Sequence, residues 1–160
     1  ISSSRIRSLL AQGDVAAAAG LLGYRYTLEA EIIGGEKLGR TLGYPTANMS
    51  LPPETELKAG IYAVHLRTAD GTIRDGVASY GRRPTVTEGG APLLETYVFD
   101  FSGNLYGQTC SVSFFGHLRD ELKFDGLDPL VEQMKRDEEE ARALLSGVRP
   151  LGELDAKIAF

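Results

Sequence analysis

The run Gly60-Ile-Tyr-Ala-Val-His-Leu-Arg67 decides the fold. Side chains of an extended strand alternate between two faces, so Tyr62, Val64 and Leu66 share one face while His65 and Arg67 take the other. Ala69-Asp-Gly-Thr72 follows, a hairpin signal. Upstream, beginning at Tyr26, Leu28, Ala30 and Ile32 alternate with Glu29, Glu31 and Ile33. Downstream, shorter strands are predicted at Asp75 to Tyr80, Leu94 to Phe101 and Thr109 to Phe115, with a turn at Ser102-Gly-Asn104. Cys110 alternates with Val112 and Phe114, which reads as core. About six strands punctuated by Gly and Pro, without a strand–helix–strand rhythm, predict a mainly β chain. The expected architecture is a small antiparallel, Greek-key-like β-barrel.

Helices flank it. Ser4 is placed to cap a short helix carrying Ile6, Leu9 and Leu10 and ended by Gly13. Asp14 is placed to cap a second, with Val15, Ala18, Ala19 and Leu22 on one face and Gly23 after it. A long C-terminal helix is predicted to start with Asp128 as cap and Pro129 at its first position. Its apolar stripe is Leu127, Leu130, Val131, Met134, Ala141 and Leu145, opposed by charges from Lys135 to Glu140 and ended by Gly147 and Pro150. The tail to Phe160 shows no period. The expected divisions are a helical stub over 1–25, the barrel with its helix over 26–146, and a tail over 147–160. The start at Ile1, without an initiator Met, predicts a piece cut from a longer chain.

Composition limits the function classes. Of 160 residues, 42% are hydrophobic and 24% charged, as in folded domains, which excludes a disordered, collagen-like or coiled-coil chain. No apolar run approaches the ~20 residues of a membrane span, and no signal peptide opens the sequence. A single cysteine cannot form an internal disulfide, which points to a reducing, cytoplasmic setting. A net charge of −5 argues against a nucleic-acid surface.

The densest chemistry lies in Gly34-Gly-Glu-Lys-Leu-Gly-Arg-Thr-Leu-Gly-Tyr-Pro-Thr-Ala-Asn48. Gly34 to Thr41 falls one residue short of a P-loop, with Arg40 in place of Lys, and Gly43 and Pro45 forbid the helix such a loop needs. Glycines still let backbone N–H groups approach an anion, and Arg40 adds a forked donor suited to phosphate. The same stretch is equally a structural turn between strands. Thr46 and Asn48, two apart on an extended segment, point to one side and offer oxygen donors acceptable to magnesium, or they cap a turn. In Leu94-Glu-Thr-Tyr-Val-Phe-Asp-Phe101, Glu95 shares a face with Tyr97, Phe99 and Phe101, where partial desolvation would make it a usable base. The alternative is a solvated strand-end carboxylate. His65 and His117 have no zinc-ligand spacing, and Gly-x-Ser-x-Gly is absent.

The order of motifs goes further. Gly39-Arg-Thr-Leu-Gly-Tyr-Pro-Thr-Ala-Asn48, Gly60-Ile-Tyr-Ala63, Gly81-Arg-Arg-Pro-Thr85, Glu95-Thr-Tyr-Val-Phe-Asp-Phe101, Leu105-Tyr-Gly107 and Arg119-Asp-Glu-Leu-Lys-Phe124 succeed one another. This series strongly resembles the ATP-dependent riboflavin kinases, from about Tyr26 to Leu145. Ile1-Ser-Ser-Ser-Arg-Ile-Arg7 resembles the end of the adenylyltransferase module in bacterial bifunctional riboflavin kinase/FAD synthetases, with Ser4 for the usual Thr. The rest of that module is missing from the sequence.

The resemblance implies transfer of the ATP γ-phosphate to the ribityl hydroxyl of riboflavin, giving FMN. It implies Gly35, Gly39 and Arg40 around the phosphates, Thr46 and Asn48 as magnesium and phosphate ligands, and Glu95 as catalytic base. Arg119, Glu121 and Phe124 become the flavin candidates, with Phe124 as a helix staple and Arg119 as a surface ion pair the competing readings. Gly81 and Arg83 fall in a segment that folds over the substrates. A non-catalytic flavin-binding module is the alternative, and FMN adenylylation is expected only of a longer parent.

Overall fold

The structure, a computed structural model, describes residues 3–34, 46–82 and 91–160. Among them six strands form one sheet: β1 (Thr27–Glu31), β2 (Thr46–Ser50), β3 (Gly60–Arg67), β4 (Ile73–Arg82), β5 (Pro92–Val98) and β6 (Thr109–Arg119). Their spatial order is β1-β6-β3-β4-β5-β2, every neighbouring pair antiparallel. The two edges then meet. The Ile33 N–H donates to the Asn48 carbonyl at 2.9 Å, and the Asn48 N–H to the Gly34 carbonyl at 2.8 Å. The sheet is thereby a nearly closed barrel, which removes the exposed edges an open sheet would leave.

Alternation fills the interior. Tyr62, Val64 and Leu66 of β3 meet Tyr80, Leu94, Val98, Cys110, Val112 and Phe114 in one buried cluster, as the periodicity predicts. Helices α1 (Ser3–Ala11) and α2 (Val15–Leu22) add Leu9, Leu10, Val15 and Ala18 to it. Burying one such aliphatic side chain is worth ~1.5–3 kcal/mol, so these helices contribute substantially to the barrel's core. Asp14 accepts from the Ala17 N–H and Gly23 closes α2 in the left-handed conformation, both as expected. Ser4, by contrast, lies inside α1 rather than capping it.

Two strands run longer than predicted, β4 to Arg82 and β6 to Arg119, while β5 ends at Val98, short of the expected Phe101. In β6, register shifts against β3 fall between Ile61 and Tyr62 and between Ala63 and Val64. Such bulges twist a strand and carry its end out of the simple alternation that a sequence reading follows. At the end of β5, Asp100 takes a φ of 53°, so the face of Glu95 and Tyr97 does not continue to Phe101. Phe101 instead packs against the barrel cluster, while Phe99 joins a second cluster outside the barrel.

That second cluster corrects the reading of β3. Its other face is buried as well, because α3 (Leu127–Ser146) and α4 (Glu153–Ala159) cover Ile61, Ala63, Val77 and Phe115. His65 is therefore buried rather than on a polar face: Nδ1 lies 2.6 Å from the Ala159 carbonyl oxygen and Nε2 3.3 Å from Asp75. Helix α3 is capped at Gly126 without a side-chain bond, so Asp128 and Pro129 lie within its first turn. The patternless tail contains α4. Its Asp155 side chain is fully buried, pairs with the Arg25 guanidinium, and accepts from the Arg25 N–H at 2.8 Å and the Leu151 N–H at 2.9 Å.

Candidate functional site

On β2, Ala47 and Met49 point into the barrel, so Thr46 and Asn48 stand on its outer face. Thr46 is opposite Tyr97 of β5, and Asn48 is opposite Glu95. On the far side of β5, Tyr97 is opposite Val77 of β4 and Glu95 is opposite Ser79. Directly opposed residues share a face, so two rows run side by side: Thr46–Tyr97–Val77 and Asn48–Glu95–Ser79. The ladder thus brings Glu95 beside Thr46 and Asn48, although it lies far from them in sequence.

Glu95 is half-buried, and the Tyr97 hydroxyl donates to its Oε1 at 2.9 Å. Asn48 Oδ1 is buried and has no hydrogen-bond partner among the described residues. An unsatisfied buried oxygen costs ~1–3 kcal/mol, a cost recovered when a cation or donor arrives. An amide oxygen and a hydroxyl on one face are hard donors of the kind magnesium takes alongside phosphate oxygens and water, so these residues fit that ion. Among the described residues, no cluster of three His, Cys, Asp or Glu offers a competing site.

A cavity of about 240 Å³ opens beside the two rows. Its sheet wall is Ile61, Val77, Ser79, Tyr97 and Phe99. The facing wall comes from Arg119 at the end of β6, from Glu121, Leu122 and Phe124 in the segment after it, and from Leu130, Met134 and Asp137 of α3. Here α3 buries its stripe only toward its C-terminal half, at Ala141 and Leu145, while Leu127 stays exposed. The gap left under its first turns is the cavity.

Arg119 is held there by Asp137: Nε donates to Oδ1 at 2.8 Å and a terminal nitrogen to Oδ2 at 2.7 Å. Gln133 donates to the same Oδ1 at 2.9 Å. Asp137 is 4% exposed, so this is a buried bidentate pair rather than a surface one. The guanidinium carbon lies 6.0 Å from the Phe124 ring centre, and both groups line the cavity. Glu121 leans over Gly81, where an added Cβ would lie 2.4 Å from Oε1. Gly35, Gly39, Arg40 and Arg83 lie outside the described residues.

The sequence reading missed Asp137, Gln133 and Ser79. Asp137 was counted in a charged face, yet it follows Leu130 by seven residues and precedes Ala141 by four, on the apolar stripe. Ser79 is found only through pairing, which a single strand's pattern does not report. His117 packs edge-on to Tyr62 at 5.1 Å, and burial pushes its pKa below the ordinary imidazole value against the opposing pull of Asp120.

The model of the flavokinase family, riboflavin kinase, matches residues 22–145. The chain belongs to the riboflavin kinase family. It is 44% identical over 146 residues to a bifunctional riboflavin kinase/FMN adenylyltransferase from Haemophilus influenzae, covering 91% of this chain and 47% of that one. It is 38% identical over 157 residues to the Bacillus subtilis protein of the same description, covering 93% and 48%. The chain therefore spans about half the length of the curated relatives it matches. Among solved structures, a riboflavin kinase from Trypanosoma brucei shares the fold, with a TM-score of 0.54 and 22% identity over 78% of this chain and 82% of that one. A Streptococcus pneumoniae chain described as a macrolide-efflux protein aligns with a TM-score of 0.80 and 38% identity over 89% and 46%. No helix among the described residues here is long and apolar enough to cross a membrane.

Proposed function

We propose that this chain is an ATP-dependent riboflavin kinase that phosphorylates the terminal ribityl hydroxyl of riboflavin, giving FMN and ADP. The observation that carries the reading is the cross-strand pairing of Asn48 with Glu95 beside a cavity between a largely apolar sheet wall and a wall carrying Arg119, Glu121 and Phe124. A flat heterocycle suits Phe124 and the Arg119 guanidinium, with Glu121 as a polar contact. Its sugar-alcohol tail then runs toward Glu95.

Phosphoryl transfer asks a protein mainly to align the nucleophile and to stabilise spreading negative charge. Glu95 accepts the proton of the hydroxyl as its oxygen bonds to the γ-phosphorus. The bond from that phosphorus to the bridging oxygen breaks, and its electron pair leaves with ADP. Thr46 and Asn48 would hold magnesium and the phosphate tail; Gly35, Gly39 and Arg40 would supply N–H and guanidinium donors to the same oxygens. Magnesium, when bound, neutralises phosphate charge. Gly81 and Arg83 would belong to a segment covering the substrates. The barrel unit over 26–146 follows a stub over 1–25 that ends an adenylyltransferase module in the parent chain, which makes FAD from FMN. The setting is cytoplasmic, with Cys110 free and buried.

The test is incubation with riboflavin and magnesium-ATP, with chromatographic detection of FMN and FAD. FMN with stoichiometric ADP is expected. Riboflavin binding without ADP release would replace the reading by a flavin-binding module, and FAD formation would replace it by adenylyl transfer.

A further inference from the structure

Resting on Glu95 as the base, we propose that Tyr97 is the residue that positions the base. Its hydroxyl donates to Glu95 Oε1 at 2.9 Å. A glutamate has three rotatable bonds, and an unconstrained side chain must lose that freedom each time it acts. A donor on one oxygen fixes the carboxylate plane and favours the ionised form that can accept a proton.

Tyr97 is itself held firmly enough to do this. Its backbone is paired with Thr46 on one side and Val77 on the other. Gly76 lets β4 lie unusually close: an added Cβ there would sit 2.6 Å from the Tyr97 carbonyl oxygen. Tyr97 also lines the cavity together with Val77 and Phe99. The phenol thus spans from the cavity wall to the base, so a substrate that fills the cavity presses on the residue that aims the carboxylate.

The experiment is Tyr97→Phe, read in single turnover so that product release does not mask the chemical step. The phosphoryl-transfer rate is expected to fall roughly 3- to 30-fold, with KM for riboflavin and for ATP each changing less than about twofold. The acid limb of the rate–pH profile is expected to move up, because the carboxylate loses a donor. A ring-fluorinated tyrosine at 97, a stronger donor of nearly the same volume, is expected to move that limb down while the fold is kept. In a Glu95→Gln background, Tyr97→Phe is expected to add no further loss. An unchanged rate and profile in Tyr97→Phe would overturn the proposal, as would a raised riboflavin KM at unchanged rate, which marks a mere wall residue. If Glu95→Gln alone keeps full turnover, the base assignment falls and this one with it. Loss in Glu95→Gln with no effect at Tyr97 removes only the positioning role.

Discussion

Asn48 and Glu95 are direct cross-strand partners on the outer face of the β2–β5 ladder. The proposed nucleotide ligand and the proposed base are therefore fixed relative to each other by backbone hydrogen bonds rather than by loop packing. Glu95→Gln keeps the shape of the side chain and leaves the ladder intact. Turnover is expected to fall about 10²–10⁴-fold, the usual worth of a general base, while riboflavin and magnesium-ATP affinities stay within about threefold. Single-turnover rates and titration calorimetry separate the two, and undiminished turnover would remove Glu95 from the chemistry.

For the nucleotide side, Thr46→Ala and Asn48→Ala are each expected to weaken ATP binding in magnesium by roughly tenfold, about the worth of one hydrogen bond to a charged group. Chelation of the metal should erase the difference between variants and parent. Asn48→Ala carries a second signature. It deletes a buried oxygen that has no hydrogen-bond partner among the described residues, so the melting temperature should hold or rise. Calorimetric affinity and melting read the two effects independently; unchanged affinity in both variants would put the metal elsewhere.

Asp155 holds the C-terminal helix to Arg25 at the junction of α2 and β1. Removing one member of a buried ion pair commonly costs about 3–5 kcal/mol, since the other charge stays behind unpaired. Asp155→Ala is expected to lower the melting temperature by roughly 6–20 °C for a chain of this size. Arg25 keeps its bond to the Arg149 carbonyl, which argues for the lower half of that range. A shift under a degree would show that α4 docks without it.

Three phenols respond to alkali. Burial raises the pKa of Tyr26 to about 12, and raises those of Tyr62 and Tyr80 as well, from the ordinary value of 10.0. Below pH 10 neither the folded nor the unfolded chain ionises them. Between about 10 and 12 the unfolded chain loses these protons while the folded one keeps them, so stability falls as pH rises. Tyrosinate absorbance should therefore show a fraction that appears only with loss of the folded circular-dichroism signal. Smooth titration of every phenol in the intact fold would contradict this.

The barrel was legible because the interior residues of β3, of β6 up to Phe114 and of the segment after Tyr26 recur at every second position, and that period is a local property. The second cluster was not, since burial of His65 depends on α4, a helix of seven residues, too short to declare a period. Glu95, Thr46 and Asn48 could be picked out by residue type and spacing. That Glu95 faces Asn48 is a matter of register between β2 and β5, which follows from strand pairing alone. Asp137 illustrates a different blind spot: a carboxylate on an apolar stripe looks like surface until the arginine that neutralises it is seen beside it.

The Ile33–Asn48 and Asn48–Gly34 bonds join the rims of the barrel at the strand that carries the proposed nucleotide ligands. Occupancy of that strand doubles as a fastener for the cylinder. In the empty protein the amides of Ile33 and Asn48 should be among the first in the barrel to trade their hydrogens for deuterium. Magnesium-ATP should slow them far more than it slows the amides of β3, on the opposite side of the hoop.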